Sequence, residues 1–273
     1  MKMLICLRSD KYLHPPILLG GLIAKNVGFD IEVLVVVTPQ GYVENGESVL
    51  DQVSQDLRGL PLTTSLKQGK PAKIIRKHIQ QGEHSLLIFN KNRIQQDAFG
   101  MAAMKAFWKC YDFPILITEN AKPQVKNILL CTGGRNEYLL EYGAKFAQAM
   151  GANLTLLHVA AGTVPTMYTG LNEFDETVSA VLQADTPIAR YLRHAADVLA
   201  KHNVNTEVKI RHGVPTDELV RETQLENYDL VIIGHTHARE GLKEWLLGNL
   251  TAKIINRVEL PVLVVSETLK RKK

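Results

Sequence analysis

Two short stretches in the second half of the chain hold residues whose type and spacing can do chemistry. Thr132-Gly133-Gly134 follows the apolar run Ile128-Leu129-Leu130-Cys131, and Gly234-His235-Thr236-His237 follows Leu230-Val231-Ile232-Ile233. Glycines directly after a strand permit left-handed backbone and let a ligand approach the main chain. Further on, Gly241 precedes Gly248-Asn249-Leu250-Thr251. If Gly248-Asn249 opens the last helix, its free N–H groups and the positive end of the helix dipole make an anion site. The plainer reading makes Asn249 an ordinary N-cap and the glycines turn formers. His235 and His237 add a second chemistry. Residues two apart on extended chain face one side, so both imidazoles can reach one Zn²⁺, with His212 or Glu240 as a third ligand. Loop histidines more often face solvent or hydrogen-bond, and no metal is assigned. No nucleophile, base and orienting group stand in a recognisable motif, so no catalytic residue is named. Ser9-Asp10 reads as a turn pair, and Asp217-Glu218 as a first-turn charge pair.

The elements that position these residues come from an internal repeat. Residues 69–89 lie over 213–233 without a gap, each beginning Gly-x-Pro: Gly69-Lys70-Pro71 and Gly213-Val214-Pro215. Upstream, Met3-Leu4-Ile5-Cys6 matches Ile128-Leu129-Leu130-Cys131, and Gly28-Phe29-Asp30-Ile31 matches Gly151-Ala152-Asn153-Leu154. Downstream, Phe113-Pro114-Ile115-Leu116-Ile117 matches Leu260-Pro261-Val262-Leu263-Val264. The order is the same in both halves, which gives two domains, 1–120 and 125–268, joined by the polar, proline-bearing Asn120-Ala121-Lys122-Pro123-Gln124.

Within the second copy strands alternate with helices. Residues 126–131 read as strand 1. Asn136 caps a helix with Leu139, Tyr142, Phe146 and Met150 on one face, and Gly151 ends it. Residues 154–159 are strand 2, 187–202 a helix and 206–211 strand 3. Pro215 opens another helix, 230–233 is strand 4, a helix follows near 249–258, and 261–265 is strand 5. Such alternation predicts right-handed crossovers and a doubly wound, Rossmann-like α/β fold with two five-stranded parallel sheets. Strands 1, 2 and 4 read as apolar throughout and therefore central. Strand 3 alternates, with Glu207, Lys209 and Arg211 on one side, which suits an edge. The order is then 3-2-1-4-5. Strand 5 of both copies is apolar without edge protection, which predicts that the two pair, making the chain an intrachain pseudo-dimer. In such a sheet a ligand sits beyond the C-terminal ends of strands 1 and 4, where the order reverses. The first copy has Leu7-Arg8-Ser9-Asp10 and Asn90-Lys91-Asn92-Arg93 there, with Gly100 the sole glycine before its last helix. It is read as degenerate.

Composition narrows the function. Of 273 residues, 45% are hydrophobic and 22% charged, which places the chain among globular proteins. Apolar runs are too short to span a bilayer as a helix, and the start MKMLICLRSDKYL lacks the pattern of a signal peptide, so a cytoplasmic protein is expected. The net charge of +4 is modest and partly carried by Lys270-Arg271-Lys272-Lys273. With no basic stripe interleaved with aromatics, nucleic acid is not an expected partner. Cys6, Cys110 and Cys131 lack metal or redox spacing and read as buried structural thiols. Residues 161–186 carry Met167, Tyr168, Leu171, Phe174, Val178, Val181 and Leu182, partly at helical spacing. They read as a covering helix or as a lid.

In combination, Lys126-Asn127-Ile128-Leu129-Leu130, Gly151 to His158-Val159, Gly213-Val214-Pro215, Asp229 to Gly234, and Leu246-Leu247-Gly248 leading to Pro261 through Val265 resemble the universal stress protein family, over nearly the whole chain and in two copies. The resemblance implies a 3-2-1-4-5 sheet, pairing through strand 5 and, in many members, ATP bound by a G-x2-G-x9-G-(S/T) signature after strand 4. Gly234 stands at the first glycine and Gly248 at the last. His237 replaces the middle one, the spacing is one residue longer, and Asn249 stands for Ser or Thr. Thr132 and Gly133 occupy the place of an acidic residue that faces the ribose, and Val159 the place whose backbone reads adenine. The implied ligand is ATP or a related nucleotide, with Mg²⁺ as a companion. The implied role is regulatory or stress-responsive through a protein partner, with slow ATP hydrolysis at most and room for chains to pair. The alternative is a scaffold that has lost nucleotide binding and acts through protein contacts.

Overall fold

The computed structural model describes residues 1–9, 14–91, 113–133, 137–160, 182–235 and 243–266, excluding the side chains of 235 and 243–249. The chain divides into two units, Met1–Gln124 with Glu259–Lys273, and Val125–Val258.

The first unit is built on β1 (Lys2–Arg8), β2 (Asp30–Val37), β3 (Leu62–Gln68), β4 (His84–Asn90) and β5 (Ile115–Thr118). They run parallel in the order β3-β2-β1-β4-β5. β1, β2 and β4 fill the middle because Leu4, Ile5, Val33, Leu34, Leu87 and Ile88 are all fully buried, the pattern of strands covered on both faces. α1 (His14–Ile23) runs into one π-helical stretch and stops at Gly28, whose φ of +81° suits glycine. α1 packs close enough that a Cβ on Gly20 would stand 2.4 Å from Ile5 Cδ1. α2 (Val43–Asp56) buries Val49 and Val53, and α3 (Pro71–Gln81) buries Ile75 and Ile79, both one-turn pairs on an apolar stripe.

The second unit repeats this with β6 (Asn127–Thr132), α4 (Glu137–Met150), β7 (Asn153–Ala160), α5 (Pro187–Ala200), β8 (Thr206–His212), α6 (Pro215–Leu225), β9 (Leu230–His235) and α7 (Lys243–Arg257). Its parallel order is β8-β7-β6-β9. Pro71 and Pro215 both stand at a helix start, and Gly69 and Gly213 carry φ of +143° and +145°. The repeat is thus a repeat of backbone conformation as well as of sequence. α4 buries Leu139, Leu140, Gly143, Ala144, Phe146 and Ala147 and leaves Tyr142 half-buried. Its seam is rotated slightly from the expected one. Thr186 caps α5 by accepting from the Ala189 N–H at 3.1 Å.

The last strand, β10 (Val262–Ser266), belongs to the second repeat by sequence but packs in the first unit. It pairs antiparallel with β5, Val262 opposite Ile117 and Val264 opposite Ile115. Both strands are fully buried, so the unprotected apolar edges find each other as expected. One expectation needs correction: the central strands are not apolar throughout, since β2 carries Glu32 and β7 carries Thr155 and His158. β8 is an edge strand as expected, and its Lys209 and Arg211 bond a buried carboxylate of α6. Among the described residues no helix is long and apolar enough to cross a membrane.

Candidate functional site

The strand order of the second unit reverses at β6, with β7 on one side and β9 on the other. Cys131 faces Ile233 across the ladder, so Thr132 and Gly133 end level with Gly234 and His235. β7 runs on to Ala160, leaving Val159 and Ala160 half-buried at the same rim. Thr132, Gly133, Val159 and Gly234 thus end at one rim of the sheet. Gly133 is exposed, and a Cβ placed on it would meet nothing within 4 Å.

Thr132 itself does not point into open space. Its side chain is buried, and its hydroxyl lies 2.5 Å from the Tyr191 hydroxyl of α5. The His158 ring donates from Nδ1 to the Thr132 carbonyl at 3.2 Å. Burial holds the His158 pKa below its ordinary value, the hydrogen bond to Thr132 opposes that shift, and His212 adds to it. The imidazole is thus neutral at neutral pH and braces the end of β6 with its proton on Nδ1. Cys131 and Cys6 are thiols raised well above the usual range by burial, which removes them as nucleophiles.

Other expected site residues are placed differently. α7 begins at Lys243, so Gly248 and Asn249 are its sixth and seventh residues and do not open it. Their N–H groups lie beyond the first four of the helix and are engaged within it. The reason is propensity: Lys243-Glu244-Trp245-Leu246-Leu247 supplies good helix formers just upstream. Cooperative propagation outweighs the roughly 1 kcal/mol that a helical glycine costs. Leu250 is half-buried, and Thr251 is in the core at 4% exposure. Gly134, His237 and Glu240, along with residues 161–181 and Cys110, lie outside the described residues, as does the His235 side chain.

A model of the universal stress protein family matches residues 124–266, more than half of the chain. The chain belongs to the universal stress protein family. Curated members align in part. A universal stress protein of Methanocaldococcus jannaschii is 42% identical over 53 residues, 19% of this chain and 32% of that protein, so the chain spans about a third of that relative. One of Bacillus subtilis is 26% identical over 133 residues, 46% of this chain and 87% of that one. Among solved structures, a functionally unknown protein of Pseudomonas aeruginosa PAO1 aligns with TM-score 0.69 at 19% identity, covering 100% of this chain and 97% of that chain. A universal stress protein of Archaeoglobus fulgidus aligns with TM-score 0.66 at 18% identity, covering 97% and 98%. The tandem fold of this universal stress protein is therefore shared over nearly all of each aligned chain.

At the other end of the strands each unit holds a buried polar cluster that the sequence reading did not find. In the second unit Glu222 of α6 is wholly buried. It accepts from Lys209 Nζ at 2.9 Å, Tyr228 Oη at 3.0 Å, and Arg211 Nε and Nη2 at 3.0 and 2.7 Å. Burial would raise its carboxyl, but the bonds from Lys209, Arg211 and Tyr228 outweigh that and hold it below the carboxylate range. Beside it opens a polar cleft lined by Asn127, Asn153, Thr155, Asn205 and Lys209. In the first unit Glu32 receives His78 Nε2 at 2.6 Å and His84 Nε2 at 2.9 Å. Burial pushes the Glu32 carboxyl up, and the two imidazole bonds bring it net below its ordinary value. The signal was available: the gapless overlay of 69–89 on 213–233 sets His78 on Glu222 and His84 on Tyr228.

Proposed function

We propose that the second unit binds ATP or a related nucleotide, with Mg²⁺ as a companion ion, in the crevice of Thr132, Gly133, Val159 and Gly234. On this reading the protein is a regulatory member of its family that changes protein partners with nucleotide state. The observation that carries the reading is the open backbone of Gly133 level with Gly234, at the topological switch where such sheets bind ligands. The same crevice in the first unit is edged by Arg8 and Asn90 in place of Gly133 and Gly234, so one nucleotide per chain is expected. A side chain at Gly133 would fill the crevice without clashing with the fold.

The test is thermal unfolding with and without millimolar ATP and Mg²⁺, for the parent and for Gly133→Leu. A ligand bound only by the folded state raises the midpoint according to RT ln(1 + [L]/Kd). The parent is expected to rise by a few degrees and the variant to stay where it was. No rise in the parent, with no nucleotide carried through purification, favours the scaffold reading. One observation supports that second reading: Gly248 and Asn249 lie within α7, so the helix-start cradle implied by the family signature is not formed by those residues.

A further inference from the structure

We propose that Glu32, His78 and His84 form a binding site for a divalent transition-metal ion of the zinc class in the first unit, independent of any nucleotide in the second. Glu32 is the third residue of β2, His84 the first of β4, and His78 lies on α3, which packs against this face. The site thus sits at the N-terminal ends of the strands, opposite the ligand crevice. One ligand atom from each residue lies within 4.8 Å of the other two. Zinc bonds of about 2.0 Å at tetrahedral angles set ligand atoms roughly 3.3 Å apart. Opening the 2.6 and 2.9 Å contacts by about 0.7 and 0.4 Å, with rotation of the side chains to bring all three ligand atoms to that spacing, admits the ion. Two imidazoles with one carboxylate suit zinc and its neighbours over Mg²⁺ or Ca²⁺, which take oxygen donors. Three protein ligands also leave a position for water.

Three further observations support the assignment. First, the His84 side chain is fully buried, yet its Nδ1 has no hydrogen-bond partner, and neither has the buried Ser65 Oγ. Ser65 is opposite Leu34 in the β2–β3 ladder, two residues along from Glu32 and on the same face. A closed hydrogen-bond cluster leaves no such atoms; a water on the ion suits Ser65 Oγ, while Nδ1 lies across the ring from the metal-facing Nε2 and is left for a second partner of its own. Second, Gly82 admits the ring: a Cβ there would stand 2.3 Å from His84 Cε1. The backbone of Gly82 is ordinary extended chain, φ −116°, so the imidazole and not the turn requires the glycine.

Third, the second unit shows what the same positions look like when no ion is needed. Glu32, Ser65, His78, Gly82 and His84 correspond to Thr155, Lys209, Glu222, Glu226 and Tyr228. There the carboxylate of Glu222 is matched by the built-in cations Lys209 and Arg211. In the first unit the inner lysine has become Ser65. Lys2, 3.6 Å from Glu32 Oε2, is 44% exposed and can swing into solvent. A bound cation takes the place that Lys209 holds in the other copy.

The experiment titrates chelator-stripped full-length protein with Zn²⁺, and with Co²⁺ as a spectroscopic reporter. It uses the parent, Glu32→Gln, His78→Asn and the double variant His235→Asn/His237→Asn. The expected result is one ion per chain in the parent and in the double variant, and at least a tenfold loss of affinity in His78→Asn. His78 is the outermost ligand, its side chain 17% exposed, so its replacement is expected to leave the fold intact, as circular dichroism will show. X-ray absorption of the zinc-loaded parent, which depends on no variant, is expected to show two imidazoles and oxygen donors only. Failure of the parent to bind an ion, retention of full affinity in His78→Asn, its loss in the double variant, or a cysteine sulfur in the first shell would each overturn the assignment.

Discussion

The two units place a polar cluster at the same point of the same fold and solve its electrostatics in opposite ways. In the second unit the acid comes from the helix, as Glu222, and permanent cations come from the edge strand, as Lys209 and Arg211. In the first unit the acid comes from a central strand, as Glu32, and its partners are imidazoles, His78 from the helix and His84 from β4. The difference teaches that a duplicated fold conserves the place of a charge better than its source. It also separates a cluster that is complete within the chain from one that still has orphan atoms, Ser65 Oγ and His84 Nδ1.

The largest expected effect comes from removing the two acids. Glu222→Ala takes the buried carboxylate from Lys209, Arg211 and Tyr228 and leaves Lys209 with the more exposed Glu226. Breaking a buried ion pair from one side costs about 3–5 kcal/mol, and the partial exposure of Lys209 and Arg211 puts this case near about 3. Glu32→Ala in chelator-stripped protein leaves imidazoles that can release their protons, so the expected cost is about 1 kcal/mol, that of ordinary lost hydrogen bonds. Urea unfolding of both variants measures the contrast. Equal losses would show that the histidine cluster is as charged and as closed as the lysine–arginine one.

How much of this was legible in the sequence follows from what repeats. The alternation of strands and helices, the strand order and the pairing of β5 with β10 could be read because each rests on runs of several residues. Ile115-Leu116-Ile117 and Val262-Leu263-Val264 are an example. The polar clusters rest on single residues inside otherwise apolar elements, such as Glu32 among the valines of β2. What such a residue meets depends on which face of which neighbour it shares, and that requires the register. Lys209 and Arg211 illustrate the trap, since alternation along β8 looks the same whether its polar side meets water or Glu222. The start of α7 was misplaced for a different reason. Gly248-Asn249 resembles punctuation, and local punctuation lost to helix propagation from Lys243.

Acid sharpens the comparison by a smaller amount. An unfolded glutamate titrates near about 4.3, and folded Glu222 titrates lower. Between those values the unfolded chain binds more protons, so stability falls as pH falls. The contribution of Glu222 is fully present above about pH 4.3 and is lost as pH drops through the folded value. His158 gives a separate limb. Its folded pKa lies below the ordinary value of about 6.5, so its contribution is present above that pH and is lost on acidification below it. Amide exchange of β8 and α6 across pH is expected to show the lower limb, and Glu222→Gln to flatten it while leaving the upper limb in place. An unchanged lower limb in that variant would move the acid sensitivity away from this cluster.

The smallest change in stability is expected from exchanging the feature that separates the two clusters. Ser65→Lys puts on β3 the residue that Lys209 is on β8, at the same register position in the β2–β3 and β7–β8 ladders. The substitution removes an unpartnered hydroxyl and adds an ammonium near Glu32, half-buried as Ser65 is. The gain in ion pairing and the cost of partly desolvating the lysine nearly cancel, leaving a shift within about 1 kcal/mol in the absence of metal. The effect on cations should be far larger than that on the fold, because the new ammonium repels any divalent ion at the Glu32 carboxylate. A variant of parental stability that no longer takes up zinc would show that the second unit does with a lysine what the first does with an ion. A variant that still binds zinc as the parent does would break the parallel, because the position of Lys209 would then not be the position of the ion.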